Sequence, residues 1–192
     1  MRSFSSALAF AFSLIFSWPA AADDITSLMK LFPALADFQP EALRIVDGQF
    51  GLSRFGPEEA VYVLKIERGQ FRGSASYSIG SARSSGAAAL QQDAVVGFLR
   101  TALQVPIEEK PYRPKIVHTD DYPSHEIELQ SGGQLLRIWT RSQGWSPWGL
   151  DFAGRSFVAD TNELTNAFIP IQKQLDWSQT KMRPKEELDR RE

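Results

Sequence analysis

"AVYVLKIERGQFRGSASYSIG", residues 60–80, decides the fold class of this chain. Phe71, Gly73, Ala75, Tyr77 and Ile79 alternate with Arg72, Ser74, Ser76 and Ser78. An extended backbone sends successive side chains to opposite faces, so one face is apolar and the other wet. Arg68-Gly69 supplies a turn in the middle, and the segment predicts an antiparallel hairpin.

Upstream, "LRIVDGQFGLSRF" (43–55) predicts a strand with a turn at Asp47-Gly48. Before it, "DDITSLMKLFPALADF" (23–38) places Leu28, Leu31, Phe32 and Leu35 at helical spacing, with an aspartate available as cap. Pro33 lies inside that pattern and is expected to kink or split the helix.

Downstream the period changes. In "SARSSGAAALQQDAVVGFLRTALQVP" (81–106), Leu90, Ala94, Val95, Phe98, Leu99 and Ala102 form a helical stripe. Ser84 or Ser85 is the expected cap, and Pro106 follows the end. The proline-rich connector "PIEEKPYRP" (106–114) leads to a second run of strands. These are expected around residues 115–119, 126–130, 134–141, 148–152 and 155–159, with turns at Ser131-Gly132-Gly133 and Ala153-Gly154. A final helix is expected from Asp160, whose pairing with Glu163 resembles a capping box. Its apolar stripe is Leu164, Ala167, Phe168, Ile171 and Leu175, interrupted by Pro170.

Strands joined by tight turns, with few intervening helices, predict an α+β domain: an antiparallel sheet of hairpins carrying two to three packing helices. The blocks at about 60–104 and 126–176 each end strand–loop–helix, although no residue motif repeats between them.

The first 22 residues read differently. Arg2, the apolar run from Ala7 to Phe16, and Ala20-Ala21-Ala22 before two aspartates have the order of a secretory signal peptide. The apolar run is shorter than the roughly 20 residues of a bilayer span. The expectation is cleavage after Ala22, a single domain over residues 23–178, and a charged, disordered tail over 179–192. There is no cysteine, hence no disulfide framework, thiolate nucleophile or lipid-modified cysteine. No Asn-x-Ser/Thr acceptor occurs, and together these features point to a periplasmic or secreted bacterial protein. With 21 basic against 23 acidic residues, nothing suggests attraction to nucleic acid, and no later segment is long enough to span a membrane.

Both histidines and three carboxylates fall within "HTDDYPSHE" (118–126). A metal site of His118, Asp120 and His125 is one reading, if Tyr122-Pro123 bends the chain back. The plainer reading, which we favour, is a polar turn between strands, since spacings such as H-E-x-x-H are missing. No G-x-S-x-G elbow is present, and the glycine- and serine-rich 73–86 stretch lacks the lysine of a phosphate loop. No cofactor is therefore expected. A hydrolase acting on an envelope polymer through Glu126, Glu128 or the histidine stretch is the alternative function.

The favoured function is binding, as an accessory or inhibitor-like module for a protein or glycan partner. In "RIWTRSQGWSPWGLDF" (137–152), Arg137, Trp139 and Arg141 alternate onto one strand face while Leu136 and Ile138 point to the other. Two guanidinium groups and an indole would then look outward together, and tryptophan and arginine are favoured hot-spot residues. Trp145 and Trp148 extend the candidate face, with Trp145 the preferred exposed residue because Ser146-Pro147 marks a turn beside it.

Overall fold

The structure is a computed structural model that describes residues 26–50, 58–115 and 122–175. The expected signal peptide and charged tail, and with them His118 and Asp120, lie outside the described residues.

Nine strands form one antiparallel sheet: β1 (Ala42–Phe50), β2 (Glu58–Glu67), β3 (Gln70–Ile79), β4 (Ala82–Gln91), β5 (Glu108–Glu109), β6 (Tyr122–Ser131), β7 (Gln134–Thr140), β8 (Trp148–Phe152) and β9 (Arg155–Ala159). Helices α1 (Leu28–Leu31), α2 (Gln92–Gln104) and α3 (Glu163–Gln174) complete the expected α+β fold. The strand order is β4-β3-β2-β1-β6-β7-β8-β9-β5. The chain thus builds a four-strand meander and a helix, β1 to β4 then α2, and repeats that order with β6 to β9 then α3. The two meanders meet where β1 pairs β6 antiparallel, and α2 packs against α3.

The alternation read in residues 60–80 is the reason for this layering. Tyr62, Leu64, Phe71, Ala75 and Tyr77 are buried on the helix-covered face, while Val63, Arg72, Ser74 and Ser76 are exposed on the open one. The Tyr62 hydroxyl donates to the Leu175 carbonyl at 2.6 Å, which ties β2 to the end of α3. Where the helices meet the sheet the core is aromatic: Phe98 of α2, Phe168 of α3 and Trp148 of β8 have ring centroids about 6 Å from one another.

Several local expectations are corrected. Residues 82–91 form β4, so α2 starts at Gln92 and neither Ser84 nor Ser85 caps it. Alanine is the best intrinsic helix former, but propensity is worth less than about 1 kcal/mol per residue, and ten consecutive pairs with β3 override it. Asp47-Gly48 makes no turn, because β1 runs straight through it with β2 on one side and β6 on the other. Likewise Tyr122-Pro123 does not bend the chain; both belong to β6, opposite Phe50 and Gln49. Pro33 does split the first helix, into α1 and a 3-10 turn at Pro33–Asp37, but the cap is Ser27, whose hydroxyl accepts from the Lys30 amide. Asp160 caps nothing: α3 begins at Glu163 after Asn162. The Asp160 carboxylate instead accepts from Lys115 Nζ at 2.8 Å and from the Ser146 hydroxyl at 2.9 Å. Hydrogen bonds from Lys115 and Ser146 hold its pKa below the ordinary aspartate value.

One glycine in β3 is required by close approach. A Cβ on Gly73 would lie 2.0 Å from the Val63 carbonyl oxygen of β2, a backbone atom that cannot swing aside. Gly73→Ala is expected to lower stability by about 1–3 kcal/mol through this overpacking. Chemical denaturation checks it, and an unchanged midpoint would mean that the β2–β3 pairing tolerates the methyl group.

Candidate binding face and cleft

The open face of the central sheet carries a charge ladder across four strands. Arg44 of β1 faces Glu126 and Glu128 of β6 at 3.3 and 3.7 Å. Arg137 of β7 pairs with Glu126 on one side and with Asp151 of β8, at 3.5 Å, on the other. Hydrogen bonding to Glu126, assisted by the neighbouring carboxylates, raises the Arg137 pKa further above its ordinary value. Register explains the ladder, since Arg44↔Glu128, Glu128↔Arg137 and Arg137↔Asp151 are direct cross-strand partners. Both oxygens of Glu126 and Oε2 of Glu128 thus have an arginine of the same sheet within 4 Å.

At the end of the ladder Trp139 is held on several sides. Its Nε1–H donates to Asp151 at 3.1 Å. Gly149 is its direct partner on β8, and a Cβ there would meet the indole at 2.8 Å, so the glycine lets the ring lie against the strand backbone. The Tyr112 ring, from the proline-rich connector, packs at 4.1 Å between centroids. Arg137 and Arg141 place their guanidinium carbons 5.1 and 5.8 Å from the ring centroid, within cation–π range. Tyr112 is itself fixed: its hydroxyl oxygen accepts from the Arg141 amide at 2.8 Å and lies 3.0 Å from the Ser142 hydroxyl. Trp139 stays half-buried and Arg141 exposed. Tyr112 was not singled out in the sequence because nothing local tells that a residue in the connector reaches β7.

The other two tryptophans of the expected face, Trp145 and Trp148, are elsewhere. Trp148 is 0% exposed and belongs to the core, so it is removed from the candidate face. Its Nε1–H donates to the Thr165 hydroxyl at 3.1 Å. The alternation Trp148, Leu150, Phe152 against Gly149 and Asp151 had carried this signal. Trp145, expected to be the exposed indole, is half-buried against the core. It sits in a 3-10 turn, Gln143–Trp145, and its ring meets His125 edge-on at 4.2 Å and Phe168 at 5.8 Å. The Trp145 ring thus lies on the helix-covered side of the sheet, not on the open face that carries Trp139.

His125 likewise faces inward from β6, 3% exposed, with Nδ1 2.8 Å from Oδ1 of Asp47. The contact is close but poorly aligned, and neither ring nitrogen has a well-directed hydrogen bond among the described residues. Gln172 of α3 reaches the other Asp47 oxygen at 3.5 Å. No group of three or more potential metal ligands occurs among the described residues.

Beside the charge ladder lies a cleft of about 750 Å³ between the α1 segment and the turns that join β6 to β7 and β8 to β9. Leu31, Phe32 and Pro33 form one wall, Leu135 and Phe152 the other, and Arg137 and Asp151 border it toward Trp139. Leu31 and Leu135, 37% and 45% exposed, are two of the three large apolar side chains exposed among the described residues, so exposed apolar surface gathers here. The cleft was not expected from the sequence, since its walls come from segments about a hundred residues apart.

No family model, curated protein or solved structure matches this chain.

Proposed function

We propose that this is an exported protein of the bacterial envelope, periplasmic or secreted, that acts by binding a protein or glycan partner, as an accessory or inhibitor-like module. The order of charge, apolar run and small residues at the start of the chain supports export. Among the described residues no helix is long and apolar enough to cross a membrane. The observation that carries the binding reading is the junction of two features. An indole immobilised between Tyr112, Asp151 and two guanidinium groups adjoins an apolar cleft. Rigid aromatic surface loses little entropy on binding, arginine stacks and hydrogen-bonds, and an apolar recess accepts an anchoring group. Of the residues first considered for the face, Arg137, Trp139 and Arg141 remain, joined by Tyr112 and Leu135.

The test is native co-purification from the producing cell, followed by affinity measurement with the retained partner. Arg141→Ala and Leu135→Ser alter exposed side chains and are expected to change stability by no more than about 0.5 kcal/mol. Each is expected to weaken binding at least about tenfold, as loss of a hot-spot contact would. Capture that is equally strong with both variants would show that the partner binds elsewhere.

A further inference from the structure

The two edges of the sheet are finished differently. Beyond β9, the two residues of β5 pair with Phe157 and Val158, and both are glutamates followed at once by Lys110 and Pro111. A short, charged, proline-ended strand is how an edge is protected from further pairing. The other edge, β4, has no such device. It is ten residues long, pairs with β3 without a bulge, contains no proline, and carries no charge after Arg83.

The direction of its free backbone groups follows from one contact. The Gln91 amide donates to the side chain of Gln174 at 2.9 Å and so points away from β3. In an antiparallel ladder this orientation alternates, which turns the N–H and C=O groups of Arg83, Ser85, Ala87 and Ala89 outward as well. Among the described residues, none of these four has a backbone partner beyond β4. Gln174 occupies the end of the row and leaves those four as its open part.

We infer that this edge is the self-association surface of the protein: two copies pair β4 to β4 antiparallel about a two-fold axis at Gly86. The four outward-facing residues are placed symmetrically around that glycine, so Arg83 meets Ala89 of the second copy and Ser85 meets Ala87. Each such pair exchanges two backbone hydrogen bonds, about eight in all. The side chains also suit a second copy. Alanine, serine and glycine meet without steric conflict, the two Arg83 charges lie at opposite ends of the ladder, and the surface is self-complementary as a two-fold interface requires. The pairing joins both sheets into one and leaves the Trp139 face, toward the far end of the strand order, free in each copy. It does not depend on the proposed binding function.

Sedimentation velocity on protein purified from cells expressing the full-length chain tests this directly. The wild type is expected to sediment at twice the monomer mass. Ala87→Pro removes an outward N–H without touching the β3 ladder, a position where an edge strand tolerates proline. It is expected to sediment as a monomer with unchanged circular dichroism. Should that variant fail to fold, Ser85→Lys/Ala87→Lys serves instead, since it sets lysines of the two copies opposite one another and is likewise expected to give monomer. A monomeric wild type would overturn the inference, as would a folded variant of either kind that stays dimeric.

Discussion

His125→Leu is expected to lower stability by about 3–5 kcal/mol, whereas Asp47→Leu/His125→Leu together recover most of that loss. The pairs of β1 and β6 that face the helices run Leu43–Leu129, Ile45–Ile127 and Asp47–His125, so the third is a polar pair in an apolar row. Asp47 is 7% exposed, and His125 is closed over by the rings of Trp145 and Phe168. Removing the imidazole alone leaves the carboxylate buried, with the amide of Gln172 at 3.5 Å as its remaining neighbour among the described contacts. An uncompensated buried carboxylate costs far more than the pair is worth, because it keeps its desolvation penalty and loses its partner. Replacing both residues by leucine continues the apolar row and removes the penalty altogether. Guanidinium unfolding of the two single variants and the double variant forms a complete cycle. If His125→Leu alone unfolds at the wild-type midpoint, the carboxylate is reached by water and the pair is no part of the core.

The second large effect is expected at Trp148. Trp148→Ala removes the largest of the fully buried side chains, where β8 meets both long helices, and should cost about 3–5 kcal/mol. Trp148→Phe should cost less, since a phenyl ring fills most of the space and the main loss is the hydrogen bond to Thr165. The ordering of the two variants in denaturant separates packing from hydrogen bonding. Equal losses would mean that the Thr165 contact, not the volume, holds α3 against β8. By contrast Arg141→Ala, on the open face, is expected to leave the midpoint in place while weakening partner capture.

The elements that were legible in the sequence share a physical cause. Residues 148–152 and 155–159 match β8 and β9 because period-two alternation and a glycine turn are local properties. The same alternation correctly set Arg137 and Trp139 opposite Leu136 and Ile138. It misled where a local preference met a tertiary one. Gly86 to Ala89 reads as the start of a helix, and Asp47-Gly48 as a turn, yet each is a strand held by its neighbours. Trp145 was misplaced for another reason. Its own φ of 65° and that of Gly144, 72°, set where the indole points, and turn backbones of this kind leave no periodic trace.

Period and turn chemistry alone therefore settled an antiparallel α+β chain with one wet and one apolar strand face, because those properties act between residues a few positions apart. Tertiary structure decided that β1 lies beside β6, that Asp47 meets His125, that Leu31 and Leu135 share a cleft, and that β4 is left as an edge. Each of these depends on contacts between segments far apart in the chain, where the energy of pairing and burial outweighs any local propensity.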